Sequence, residues 1–202
     1  MSLGRSRYFV VVIEDYTWQT WIYIIAKKSE VFHYFRNLKN LVEREIRRKI
    51  KFLQSDGGKE YFSVQYTSYL QQMGIRREFS CRYMPEQNGL AERKNRSVVE
   101  AAREMLEEKS WPKFYWAEVV RTAVYIQNRI REKVLAHELH FRRKLNLRNL
   151  RVFRSIAYVH VSKLDAKGEK CILVCYSDEQ KRYKCYNPPN QTNLDKSRCC
   201  VR

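Results

Sequence analysis

The sequence predicts an α/β fold, a mixed sheet flanked by helices, followed by a small C-terminal β module. Three observations carry this. Short apolar runs rich in Val, Ile, Tyr and Trp read as strands. After the first two of these, strand-like runs alternate with stretches whose apolar residues recur at 3- and 4-residue spacing. From "LRVFRSIAYVHV" onward the helical period stops, and only short strand-like runs with turn residues remain. Strands interleaved with helices make a layered sheet covered on both faces. A purely β tail makes a separate small barrel-like unit.

In order along the chain, "RYFVVVIEDY" reads as a buried strand ending in a turn, and "TWQTWIYIIAKKS" as its antiparallel hairpin partner. Ser29 is the expected cap of a helix on which Val31, Phe32, Phe35, Leu38, Leu41 and Val42 form one stripe, running to about Ile46. "KIKFLQS" is the next strand. "SVQYTSYLQQMG" is a short helix stopped by Gly74, and "IRREFSCRY" another strand. "MPEQNG" reads as a turn or loop, because Pro85 and Asn88-Gly89 both punctuate. A long helix is expected from about Leu90 to Lys109, with Val98, Val99, Ala102, Met105 and Leu106 inward. Trp111-Pro112 breaks it. A further helix runs to about Arg129 with Phe114, Trp116, Ala117, Val120, Val124 and Ile126 on its stripe. The expected division is a core over 1–130, a basic connector over 131–148 and the β module over 149–202.

Composition narrows the function. The 202 residues are 44% hydrophobic and 13% aromatic, with six Gly and four Pro, which suits a packed core and excludes a disordered basic tail. Forty Lys and Arg oppose 22 Asp and Glu, a net charge of +18, spread along the whole chain. Such an excess favours a polyanion, nucleic acid before any other, through counterion release. The apolar run "YFVVVI" is too short for a signal peptide or a membrane span, so an intracellular protein with no membrane partner is expected. The six cysteines lack C-x-x-C spacing and the four histidines lack H-x-x-x-H spacing, so free thiols are expected rather than a zinc site.

Two carboxylates stand out. Asp56 closes the strand "KIKFLQS" just before Gly57 and Gly58, and Glu92 lies near the start of the long helix. Glu92, Asn95 and Arg96 fall at i, i+3 and i+4, so a carboxylate, an amide and a guanidinium share one helical face. Arg93 and Lys94 stand beside them, placed for phosphates. A carboxylate pair can hold divalent metal, and two such ions clamp the attacking and leaving oxygens of a phosphodiester exchange. Each piece alone has a plain reading: Asp56 as a turn residue, Glu92 as a carboxylate at a helix N-terminus.

The words around that spacing carry a resemblance. "LQSDGGKEY", "GIRREFSCRYMPEQNGLAERKNRSVVEAAREML" and "WAEVVRTAVYIQNR" resemble the integrase core of copia-type long-terminal-repeat retrotransposon Pol polyproteins. "SRYFVVVIEDYTWQTWIYIIAKKSEV" resembles the strand pair before it, and "LRNLRVFRSIAYVHV" and "EKCILVCYSDEQKRYKCYNP" the SH3-like module after it. The resemblance implies a ribonuclease H-like core and DNA integration by metal-dependent phosphodiester strand transfer. It also implies Mg2+ or Mn2+ as cofactor, element ends and target DNA as partners, homo-oligomers, and work in the nucleus. By resemblance Asp56 is the second and Glu92 the third of three catalytic carboxylates, both metal ligands, with Asn95, Arg96, Arg93 and Lys94 on nucleic acid.

The sequence also departs from the family pattern. The first Asp belongs to a D-x-x-G-P-M context on a first strand, and this chain opens on "MSLGRSRYF", so that strand and its Asp are expected to be missing. Asp15, Glu60 and Asp178 are the weak substitutes, and Asp15 reads as a hairpin turn residue. Arg154 and Cys175 stand where the family tends to have Gly, and His140 where it tends to have Trp. Two readings follow: an integrase-like enzyme, or a nucleic-acid-binding remnant without catalysis. Trp18, Trp21, Trp111 and Trp116 are expected in packing rather than on bases.

Overall fold

The computed structural model describes residues 1–55, 58, 63–79, 85–108, 111–130, 138, 140, 144, 147–159, 169–176, 183–187, 192–196 and 199–201. The expected hairpin forms, although its first strand is half-buried rather than buried. β1 (Tyr8–Ile13) and β2 (Thr20–Ile25) pair antiparallel, Tyr8 opposite Ile25 and Ile13 opposite Thr20. Glu14 closes the turn: its N–H donates to the Gln19 carbonyl at 2.9 Å, and its carboxylate accepts the Thr17 N–H at 2.9 Å. Asp15 is exposed in that turn.

A 3-10 turn (Lys28–Glu30) leads into α1 (Val31–Ile46). The expected cap is corrected here. Ser29 lies inside the 3-10 turn, and the Glu30 carboxylate reaches back to accept the Lys27 N–H at 3.1 Å. A longer side chain, three residues on, satisfies the open donor in the manner of a capping box. α1 buries Val31, Phe35, Leu38 and Val42. β3 (Phe52–Ser55), α2 (Val64–Gln72) and β4 (Arg76–Phe79) form a right-sized crossover unit, and the two strands are parallel. Ser63 caps α2 by accepting the Tyr66 N–H at 3.2 Å, and Gly74 ends it at φ 68°. Phe35, Tyr66, Leu70 and Ile75 make the core between α1, α2 and this parallel pair.

α3 (Pro85–Glu107) begins five residues earlier than its apolar stripe suggests. Proline is favoured at the first helical position, where its missing N–H costs nothing, so it starts the helix rather than interrupting it. A 3-10 turn (Lys113–Tyr115) precedes α4 (Trp116–Gln127). Asn128, just past α4, clasps β2: its side chain accepts the Thr20 N–H at 3.1 Å and donates to the Thr20 carbonyl at 2.8 Å. Among the described residues the β1–β2 and β3–β4 pairs are separate two-stranded sheets.

The C-terminal part is a five-stranded antiparallel sheet in the order β8-β7-β6-β5-β9. Its strands are β5 (Ile156–Val159), β6 (Glu169–Tyr176), β7 (Tyr183–Asn187), β8 (Thr192–Lys196) and β9 (Cys199–Val201). β8 carries no strand signal in the sequence, because "TNLDK" has no apolar alternation. This sheet does not stand apart from the helices. Val174 of β6 is fully buried with Val98 and Ala102 of α3 and Val119, Val120 and Val124 of α4. The Thr122 hydroxyl donates to the Val174 carbonyl at 3.3 Å, and Lys184 of β7 pairs with buried Glu118 of α4 at 2.9 Å. Trp111 belongs to the same cluster, and Trp116 packs against it, as a packing role requires. Cys171, Cys175 and Cys185 are buried free thiols. A β-bulge falls between Leu173 and Cys175. Most of the 131–148 connector, with Glu60, Cys81 and Asp178, lies outside the described residues.

Candidate functional site: the β3 end and the face of α3

The site is built on the parallel pair. Register sets Ser55 opposite Phe79, so both strands finish at one edge of the sheet. Asp56 follows Ser55 directly in the chain but lies outside the described residues. The chain that leaves β4 at Phe79 enters α3 at Pro85. In parallel units of this kind the strand ends are where ligand-binding groups gather.

On α3, Glu92, Arg93, Asn95 and Arg96 are all exposed, and Lys94 is half-buried. The helical spacing therefore delivers what it promises: a carboxylate, an amide and two guanidinium groups on solvent-facing turns. Behind them Val98 is fully buried against α4 and β6, which fixes the rotation of the helix about its axis. Gly89 lies beside Arg93. A Cβ there would sit 3.2 Å from an Arg93 terminal nitrogen, so the missing side chain leaves room for that guanidinium.

Lys94 is turned the other way. Its ammonium donates to the Gln127 Oε1 at 2.8 Å, and the Gln127 amide in turn donates to the Ser97 hydroxyl at 3.2 Å. Lys94 thus ties α3 to the end of α4. No sequence signal marks Gln127 as its partner, because the contact spans 33 positions and depends on how the two helices cross.

Among the described residues no group of three or more His, Cys, Asp and Glu side chains is gathered as a metal-binding set. As donors, two carboxylates offer hard oxygen ligands, which suit Mg2+ or Mn2+ and not a thiophilic ion. An apolar cavity of about 690 Å³ starts further along α3 at Val99 and is lined by Phe9, Leu106, Trp111 and Trp116. Its walls are mostly apolar, with Arg103, Glu107 and Lys113 also lining it, and Glu92 does not line it. No described helix is long and apolar enough to cross a membrane.

A second polar centre lies against the hairpin, and no local spacing in the sequence marks it. His140 is buried against the β1–β2 hairpin, edge-on to Trp21 at 5.0 Å, with Nδ1 3.7 Å from the Glu14 carboxylate. Burial pulls its pKa below the ordinary histidine value, against the opposing pull of Glu14. The imidazole at this position thus packs against Trp21 of β2.

With this geometry in view, the fold defines a class. The chain is similar in fold to a chain in the cryo-electron-microscopy structure of the simian T-cell lymphotropic virus intasome in complex with PP2A regulatory subunit B56 gamma. The TM-score is 0.54 at 12% identity, over 96% of this chain and 71% of that one. Residues 155–196 match the retroviral polymerase SH3-like domain. The chain is therefore a mixed α/β protein, similar in fold to a chain of a retroviral intasome, and its C-terminal sheet lies largely within the stretch that matches the SH3-like domain.

The particular family follows from sequence. The chain is 40% identical over 196 residues to the retrovirus-related Pol polyprotein from transposon TNT 1-94 of Nicotiana tabacum, 93% of this chain and 15% of that protein. It is 36% identical over 194 residues to the corresponding polyprotein from transposon RE1 of Arabidopsis thaliana, 92% of this chain and 13% of that protein. It belongs to the copia-type retrotransposon Pol polyproteins. It spans 15% or less of the length of these two relatives.

Proposed function

We propose that this chain is the DNA-handling, integrase-related part of a retrotransposon Pol polyprotein, with a ribonuclease H-like core over 1–130, a connector over 131–148 and an SH3-like module over 149–202. Its partners are the element's DNA ends and target DNA, it works as a homo-oligomer, and its place of work is the nucleus. Asp56 and Glu92 hold Mg2+ or Mn2+, while Arg93, Asn95 and Arg96 hold the DNA. Lys94 orients this stretch of α3 through Gln127 and lends its charge to the phosphates.

The observation that carries this reading is the register of the parallel pair. With Ser55 opposite Phe79, the residue that precedes Asp56 and the strand that feeds α3 share one sheet edge. Glu92 is exposed on the helix that leaves that edge. The chemistry supplied by a divalent ion at such a carboxylate pair is charge stabilisation on the oxygens of a phosphodiester exchange. The protein's own share is to aim the two carboxylates and to steady the backbone with guanidinium groups, which grip phosphate oxygens in bidentate fashion.

A second reading, nucleic-acid binding without catalysis, is favoured by the charge of +18. Nicking of supercoiled plasmid in Mn2+, with Glu92→Gln beside the wild type, decides between them. Nicking that disappears in Glu92→Gln supports catalysis. Salt-sensitive binding with no nicking, from folded protein, leaves the binding reading and removes the catalytic one.

A further inference from the structure

We propose that the turn joining α1 to β3, extended onto the start of β4, is a second nucleic-acid contact surface, distinct from the face of α3, that takes the phosphate backbone. Arg44, Arg47, Arg48, Lys49 and Lys51 are all exposed there. Within positions 44–51 they meet one carboxylate, Glu45. Arg76 adds a sixth cation. Its N–H donates to the Lys51 carbonyl at 2.8 Å, so the start of β4 lies against the end of this turn. Nearby acids are Glu43 and Glu78. Glu43 is occupied, accepting from the Lys39 ammonium at 2.8 Å and the Ile50 N–H at 2.9 Å.

A plain account of these cations is the C-terminus of α1, where positive charge offsets the helix dipole. Arg44, in the last turn, meets that need. The effect fades within a turn, and Lys49, Lys51 and Arg76 lie beyond it. None of the six forms a salt bridge among the described residues. Arg47 also sits in the left-handed region at φ 52°, ψ 33°, the C-terminal position that glycine normally fills. A cation thus stands where the backbone favours glycine.

The partner is nucleic acid rather than a lipid surface. A membrane-binding basic helix presents an apolar face to the bilayer. The apolar face of α1 is instead spent on the core, with Phe35, Leu38 and Val42 buried. Between positions 44 and 52 the large apolar group displayed is Phe52, 54% exposed, with the Arg76 guanidinium 6.0 Å from its ring centre. An aromatic ring among cations is a base-stacking platform for unpaired nucleotides. The surface lies at the opposite end of β3 from Ser55, roughly 13 Å away at about 3.3 Å per residue.

The test is fluorescence anisotropy of labelled 20-nucleotide single strands and 20-base-pair duplexes across a salt series, with the full chain. In the variant Arg47→Gly, Arg48→Gln, Lys49→Gln, Lys51→Gln the log–log salt slope for duplex becomes shallower by about 3 to 4. A charge-matched control, Arg7, Arg121, Lys144 and Lys170 each to Gln, keeps the wild-type slope. Arg47→Gly alone raises the thermal midpoint while the slope falls by about 1, which separates binding from folding. Phe52→Ala weakens the single-strand complex and leaves the duplex complex unchanged. An unchanged slope in the fourfold variant overturns the proposal. So does an equal fall in the control, or lost binding to phosphatidylserine vesicles with DNA binding intact.

Discussion

Arg154 offers a clean test of how backbone geometry overrides side-chain preference. It occupies the left-handed region at φ 68°, in the tight entry to β5, and its N–H donates to the Leu173 carbonyl at 3.0 Å. Its guanidinium lies 5.7 Å from the Trp111 ring centre. A side chain in this region costs roughly 1–2 kcal/mol that glycine avoids. The ring contact, at an exposed residue, returns on the order of 0.5 kcal/mol. Arg154→Ala loses the ring contact and keeps the strain, so it destabilises by about 0.5 kcal/mol. Arg154→Gly loses the contact and relieves the strain, at the cost of a freer unfolded chain of roughly 0.5–1 kcal/mol. The Gly variant should therefore exceed the Ala variant by about 1 kcal/mol, the reverse of the usual order. Urea denaturation at neutral pH reads this directly, with an unchanged slope confirming a common unfolded state. If Ala equals or exceeds Gly, the positive φ is not a source of strain and the reasoning fails.

Further expectations concern packing and protonation. Lys184→Met strands the buried Glu118 carboxylate and should cost about 3 kcal/mol, while Glu118→Gln with Lys184→Met recovers part of it; a double-mutant cycle measures the difference. Val174→Ala, at a fully buried site shared by β6, α3 and α4, should cost about 2 kcal/mol and lower one common melting transition rather than one of two. Separate shifts in calorimetry would mean that the sheet and the helices fold independently. Because His140 has its pKa lowered by burial, the unfolded chain binds the extra proton first. Stability is full above the unfolded value, roughly 6.5, and falls as pH drops toward the folded value. His140→Phe should flatten that loss in melts between pH 5 and 7. Glu43 behaves as a carboxylate should: burial raises its pKa, but the Lys39 and Ile50 hydrogen bonds outweigh this and hold it low. Its contribution is present above roughly pH 4.3 and lost as pH falls through the folded value, so Glu43→Gln should remove part of the acid sensitivity.

Local patterns were legible because they depend on neighbours in the chain. Runs of β-branched and aromatic residues placed β1 and β2, and Gly74 marked the end of α2. Helical spacing put Glu92, Asn95 and Arg96 together on solvent-facing turns, and the motif words around them marked the family. The charge of +18 is a property of composition and needs no fold. What the sequence left open needed distance. Polar "TNLDK" becomes a strand because β7 offers it an edge to pair with. Lys94, grouped by adjacency with the phosphate-facing cations, is drawn to Gln127 by the crossing of α3 and α4. His140 is buried because the hairpin supplies Trp21 and Glu14. The SH3-like sheet looked separable by its change of period, yet Val174 and Thr122 fasten it to the helices. Periodicity is written in the spacing of residues along one element, whereas burial and partnership arise only when elements far apart in the chain are pressed together.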